Sequence, residues 1–284
     1  MKKILVPIDF SENAVNALHY AVAYAQETHA KITLFNSYPI DVPMGIEFSS
    51  GIYMRTLNAE VKFDHETRLR EIADEFKKTC YRFSDEPVAF DIVVKEGTAT
   101  ESIVSMAEEH QYDLIIMGTQ GASGLEEVFL GSITAFVIDR VKVPVLAIPQ
   151  LARFSGLKKV VYATDFHEND PAALKTLQTF TEGFEAEITC IHINTEFAAV
   201  GADKEKLEQI RQLIPSKNTT PVSYEVVHGK RVEQTLHTYL EEQQVDLVAV
   251  LPKERGFFEN LFHKSITRKM AFHSKIPIFV PKCI

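Results

Sequence analysis

The stretch MGTQGASGLEEVFLGSIT, Met117 to Thr134, decides how this chain is read. It follows Asp113-Leu-Ile-Ile-Met117, an apolar run of the kind that forms a strand buried on both faces. It leads into Ile133-Thr-Ala-Phe-Val-Ile138, which reads as the start of a helix. Between the two stand Gly118, Gly121 and, after nine further residues, Gly131-Ser132. Glycines there let the backbone turn tightly and approach a ligand closely. Backbone N–H groups and a helix N-terminus are then free to hold phosphate. Strand, glycine loop and helix in that order predict an α/β unit.

The loop is neither of the two common nucleotide motifs. A Walker A loop needs a lysine after its last glycine, and Gly131 is followed by Ser132. The dinucleotide fingerprint belongs at the first strand–helix turn, which here is Val6-Pro-Ile-Asp-Phe-Ser11, without glycine. The spacing Gly-x2-Gly-x9-Gly-Ser at the fourth strand instead resembles the ATP-binding class of the universal stress protein family. Ile4-Leu-Val-Pro-Ile-Asp-Phe-Ser-Glu12 and Val143-Pro-Val-Leu-Ala-Ile148 resemble that family's first and last strands. Three segments in the right order are more specific than the glycines alone.

The resemblance implies a Rossmann-like fold and a bound adenine nucleotide: ATP, or ADP or AMP in its place, with or without Mg. Carried over residue by residue, it puts Gly118, Gly121, Gly131 and Ser132 at the phosphates, with Gln120 as an added side-chain contact. Asp9 would accept from ribose hydroxyls or hold a metal near the phosphates. Pro7 and Ile8 would line the adenine side, the backbone of Ser37 would read the adenine edge, and Met117 and Ile133 would be apolar walls. Plainer roles stay open beside these. Asp9 suits the N-cap of the first helix, Ser132 suits a cap of the helix at Ile133, and Met117 and Ile133 suit the core.

The rest of the chain fits a globular α/β protein. Its 284 residues suggest about two domains at ~150 residues each. Apolar content of 45% and charged content of 24% are ordinary for a soluble protein. A net charge of −9 argues against nucleic acid as partner, since such partners call for a clustered basic surface. No apolar run approaches the ~20 residues that span a bilayer. The start, Met1-Lys-Lys-Ile-Leu-Val-Pro7, reads as a first strand and not as a signal peptide. Cys80, Cys190 and Cys283 are widely spaced, with no metal spacing, which predicts a reduced, cytoplasmic setting.

The second half repeats the first. Ile4-Leu-Val-Pro-Ile-Asp-Phe10 corresponds to Val160-Val-Tyr-Ala-Thr-Asp-Phe166, and Ala30-Lys-Ile-Thr-Leu-Phe-Asn36 to Ala186-Glu-Ile-Thr-Cys-Ile-His192. Val93-Val-Lys95 corresponds to Val226-Val-His228. From the fourth strand on, the offset holds at 133 residues: Tyr112–Met117 falls on Val245–Val250 and Val143–Pro149 on the segment from Ile276. A unit this long is a domain, not a solenoid repeat. Domains are therefore expected over 1–150 and 151–284, joined by a linker from Pro149 to Lys159 with few strongly packed residues. Each is expected to be a five-stranded parallel doubly wound sheet, because short Val/Ile runs alternate with amphipathic stretches. Asn13 to Gln26 places Val15, Leu18, Val22 and Ala25 on one helical face, with Ser11 as N-cap. Tyr38 to Thr67 reads as a loop before a second helix that starts near Met54 and runs towards Arg82. Val143–Pro149 and Ile276–Pro281 would be exposed apolar edges unless paired, so an internal pseudo-dimer is expected, with a homodimer of chains as a further option.

The second copy departs from the pattern. Gly118 becomes Leu251, Gly121 becomes Glu254 and Gly131 becomes Lys264, while Ser265 keeps the place of Ser132. Pro252 removes a donor, and Lys253 and Arg255 keep the region basic. This half is expected to have lost ATP binding. Asp165 is retained, and His167, His192 and His228 follow predicted strand ends, so a zinc site with Asp165 is one option for it against ordinary satisfied histidines.

Three functional classes follow: a nucleotide-binding stress regulator with protein partners still to be identified, a weak ATPase or autophosphorylating enzyme, and a scaffold whose nucleotide is structural. Hydrolysis needs an oriented water and charge stabilisation at the γ-phosphate. No lysine adjoins the loop, and Glu126 and Glu127 read as solvent-facing. Binding is the favoured reading over catalysis.

Overall fold

The computed structural model describes residues 2–39, 51–80, 88–120, 130–195, 200–214, 220–251 and 275–282. The first half runs β1 (Lys3–Pro7), α1 (Glu12–Thr28), β2 (Lys31–Tyr38), α2 (Gly51–Cys80), β3 (Phe90–Glu96), α3 (Ala99–Glu109), β4 (Leu114–Gly118), α4 (Ser132–Arg140) and β5 (Val145–Ile148). The second runs β6 (Lys159–Thr164), α5 (Asp170–Phe180), β7 (Glu187–Asn194), α6 (Val200–Leu213), β8 (Val222–His228), α7 (Val232–Glu242), β9 (Leu247–Val250) and β10 (Ile278–Val280).

One ten-stranded sheet has the order β3-β2-β1-β4-β5-β10-β9-β6-β7-β8. Within each half every pair is parallel. The central strands β4, β5, β9 and β10 are buried along their whole length because both faces are covered, whereas the edge strands β3 and β8 are partly exposed and carry polar residues. Ile4 and Val6 point into one core with α1 and α2, whereas Leu5 points into the other with α3 and α4. The sheet is thus doubly wound in both halves, as the alternating pattern predicts.

Several local devices repeat. Asp113 accepts from the backbone N–H groups of Lys2 and Lys3, and Asp246 from those of Lys158 and Lys159. Phe10 and Phe166 both adopt positive φ, 64° and 56°. In each half the phenyl ring carries a cation from the second helix: Arg68 lies 3.7 Å from the Phe10 centroid and Lys206 Nζ 4.7 Å from that of Phe166.

The halves join through β5 and β10, which pair antiparallel with Leu146 opposite Phe279. Since Leu146 and Phe279 are equivalent in the repeat, the junction is isologous, like a two-fold dimer interface inside one chain. Tyr24 of α1 stacks on Phe180 of α5 at 4.9 Å with ring planes 6° apart. These two positions are also equivalent, 156 residues apart, and the Tyr24 hydroxyl donates to the Phe180 carbonyl at 2.9 Å. Phe180 stacks in turn on Phe279. Each fully buried ring contributes about 1.5–3 kcal/mol, so both halves share one continuous core.

The second helix spans Gly51–Cys80, in keeping with a start near Met54 and a run towards Arg82. One expectation is corrected. The linker is well packed: Ala152 and Leu157 are buried, and Phe154 meets Tyr20 edge-on at 5.0 Å. The Asn16 amide on α1 donates to the carbonyls of Pro149 and Ala152, and Arg153 donates to Asn16 Oδ1. A buried asparagine on an apolar helix face supplies what the linker backbone would otherwise lose on leaving water.

Candidate functional site

In a sheet ordered 3-2-1-4-5 the connections reverse direction between β1 and β4, which opens a crevice at the strands' C-terminal ends. A cavity of about 350 Å³ lies there. The structure brings ten of the eleven sequence-predicted residues to its wall: Pro7, Ile8 and Asp9 after β1, Ser37 at the end of β2, Met117, Gly118 and Gln120 at the end of β4, and Gly131, Ser132 and Ile133 at the start of α4. The eleventh, Gly121, lies outside the described residues, as do Glu126 and Glu127.

The two ends of the glycine loop are pinned. The Gly131 N–H donates to the Thr119 carbonyl, and the Thr134 hydroxyl donates to the Gly118 carbonyl at 2.8 Å. The helix starts at Ser132 with Gly131 as N-cap, so Ser132 is its first residue and not the cap. Among the described residues no side chain caps this end, and no acidic residue stands in its first turn. Gly131, Ser132 and Ile133 put this end, with its unpaired first-turn N–H groups and the positive pole of its dipole, on the cavity wall. An anion is the natural partner of such an end.

Gly118 has a second reason to be glycine. A Cβ there would lie 2.8 Å from Asn13 Nδ2 and 2.9 Å from Asn13 Cγ. Asn13 is buried on α1 and its amide donates to the Gln120 carbonyl at 2.7 Å. The absence of a side chain at 118 lets α1 approach the loop and hold it.

At the other wall, Asp9 is exposed and accepts from the backbone N–H and the hydroxyl of Ser11, at 3.0 and 2.6 Å. Ser11 is the N-cap of α1, accepting from Ala14 N–H, so Asp9 braces the cap and does not replace it. Asp9 is the only charged side chain among the described lining residues. Phosphate held here would therefore rest on amides, and a carboxylate this close suits a ribose hydroxyl or a cation.

Sequence reasoning missed several wall residues. Ala14, Phe35, Ala99 and Ile103 are apolar lining with no signal of their own. Asn36 had one: a polar residue inside an apolar strand. It is 6% exposed, its amide donates to the Ile8 carbonyl at 2.7 Å, and its Oδ1 meets His65 Nδ1 at 2.6 Å. Burial, then the nearby Arg68 guanidinium, holds His65 below the ordinary histidine range, against a smaller pull from Asp64.

The second half is built differently at the matching places. The position of Ala14 is taken by Asp170, which is 1% exposed and accepts from the Tyr162 hydroxyl at 2.6 Å and from the Thr164 hydroxyl. Leu251, in the place of Gly118, is half-buried against the core. Pro252, Lys253, Glu254, Arg255, Lys264 and Ser265 lie outside the described residues. A cleft of about 570 Å³ opens between the ends of β6 and β7 and helix α6. Asp165, His167 and His192 line it and His228 does not. Among the described residues no three His, Cys, Asp or Glu side chains stand where they could hold a metal.

A family model described as the Universal stress protein family matches residues 1–149 and again 156–282. The universal stress protein Sll1388 of Synechocystis sp. is 30% identical over 149 residues, which cover 51% of this chain and 96% of that protein. Universal stress protein MJ0577 of Methanocaldococcus jannaschii is 32% identical over 153 residues, covering 52% and 94%. A solved structure of a universal stress protein from Archaeoglobus fulgidus matches across both halves, with a TM-score of 0.66 at 19% identity, covering 99% of this chain and 98% of that one. That likeness concerns the fold alone.

Proposed function

This chain belongs to the universal stress protein family, and we propose that it binds one adenine nucleotide, in its first half, and acts as a regulator through that occupancy. The observation that carries the reading is the N-terminus of α4, which no described side chain caps, on the wall of a cavity at the switch point. An amide-lined anion site beside an apolar slot between Met117, Phe35 and Ile103 suits a purine joined to phosphates. Asp9 suits the ribose hydroxyls, or a Mg ion on the phosphates.

The buried carboxylate of Asp170 and the side chain of Leu251 support a single site per chain. The reading favours binding over turnover, and Asp9 as the one charged group among the described lining residues supports it. No helix among the described residues is long and apolar enough to cross a membrane; a cytoplasmic setting remains part of this reading.

Protein purified without added ligand should release an adenine nucleotide on denaturation, and stripped protein should titrate with ATP to one equivalent per chain. A chain that binds no ATP, ADP or AMP ends the proposal. Single-turnover assays with labelled ATP test the catalytic alternative: metal-dependent turnover lost in Asp9→Ala would replace binding by hydrolysis.

A further inference from the structure

We infer that His65 is a positioning residue that sets the purine side of the cavity through Asn36; the inference rests on the nucleotide reading above. The ladder between β1 and β2 ends where the Ile8 N–H donates to the Phe35 carbonyl at 2.7 Å. Beyond that bond the strands lead to Asp9 and Ser37, on the cavity wall. The Asn36 side chain straps them together by donating to the Ile8 carbonyl at 2.7 Å.

A carbonyl oxygen can only accept, so Asn36 must turn its NH2 to Ile8 and its Oδ1 to His65. His65 Nδ1, 2.6 Å away, must then carry the proton. The histidine fixes the amide's orientation, and the amide fixes the strand end. The ring itself is held edge-on to Phe10 at 5.5 Å and against Tyr38 at 5.4 Å.

The second half makes the strand-to-strand contact with other residues. His192 stands where Asn36 does and Thr164 where Ile8 does, and His192 Nδ1 lies 3.1 Å from the Thr164 carbonyl. The nearest second-helix carboxylate, Asp203, has its Oδ2 3.9 Å from His192 Nε2, too far for a hydrogen bond, and accepts instead from the Asn194 amide. The halves thus share the strand-to-strand contact, whereas the hydrogen bond that fixes it from the second helix, His65 to Asn36, belongs to the half with the cavity.

The test uses the full chain, with adenosine and ATP as probes. His65→Ala should weaken both by the same factor, about five- to tenfold, the scale of one lost hydrogen bond. His65→Gln, which keeps an N–H donor, should recover most of the loss. Nitrogen-15 shifts of the wild-type ring should show the Nδ1-protonated tautomer. Wild-type affinity in a folded His65→Ala, or an Nε2-protonated ring, would overturn the inference and leave the nucleotide reading standing. A wild type that binds neither probe would overturn that reading, and this inference with it.

Discussion

Gly118 faces Asn13 with no room for a methyl group: a Cβ at 118 would lie 2.8 Å from the Asn13 side-chain amide nitrogen and 3.2 Å from the Asn13 backbone carbonyl oxygen. The same amide donates to the Gln120 carbonyl. The first glycine of the loop therefore joins helix packing to loop position. Gly118→Ala should lower stability by about 1–3 kcal/mol, the usual range for overpacking, and weaken ATP binding as Asn13 is pushed off Gln120. Asn13→Ala in the same chain should relieve part of the clash, so a double-mutant cycle in urea should be non-additive. Additive losses would show that the two residues do not press on each other.

The junction of the halves makes a second prediction. The Tyr24 hydroxyl donates to Phe180 and the rings stack. Tyr24→Phe keeps the stack and leaves a buried carbonyl without its donor, and should lower stability by about 1–3 kcal/mol. Tyr24→Ala should lower it by about 3–5 kcal/mol. Because Phe180 and Phe279 are part of the same stack, the single urea transition expected of wild type should split in Tyr24→Ala, with the halves melting separately.

Much of this was legible in the sequence, and what was missed has a common cause. Short Val/Ile runs and the constant offset predict parallel strands and a tandem repeat, since burial on both faces leaves a local signature. Ten of the eleven residues predicted for the site line one cavity because strand ends of a doubly wound sheet converge there whatever the loops do. Contacts between distant segments left no such trace. Asn16 looks like any helix residue until the linker lies against it, and the linker reads as a stretch with few strongly packed residues until Phe154 reaches Tyr20. His65 stood in the stretch read as loop and helix start, and only the fold brings it to Asn36. Asp170 reads as an ordinary first-turn acid, although it is buried beneath β6 side chains.

Acid should loosen the fold partly through His65. Its pKa lies below the unfolded value of 6.5, through burial first and Arg68 second. As pH falls, the unfolded chain takes up the proton before the folded one does. The stabilisation is then complete above the unfolded pKa and is lost as pH drops through it towards the folded value. Between about pH 8 and about pH 5, wild type should lose more stability than His65→Gln, so the gap between them should narrow. Parallel curves from urea titrations would show that His65 titrates alike in both states.

The second half should resist conversion into a nucleotide site by one change. Leu251→Gly removes the side chain that stands in the place of Gly118, yet the carboxylate of Asp170 remains where Ala14 lines the first cavity. That carboxylate is held by Tyr162 and Thr164 and adds a negative charge at the start of α5, which the helix favours. A phosphate brought close would meet a like charge in a poorly solvated place. Titration of Leu251→Gly with ATP should still saturate at one equivalent per chain. Asp170→Ala removes the charge, but it also removes a buried acceptor of the Tyr162 and Thr164 hydroxyls and should lower stability by about 1–3 kcal/mol. A second equivalent of ATP bound by Leu251→Gly alone would show that the leucine, and not the buried carboxylate, keeps this half empty.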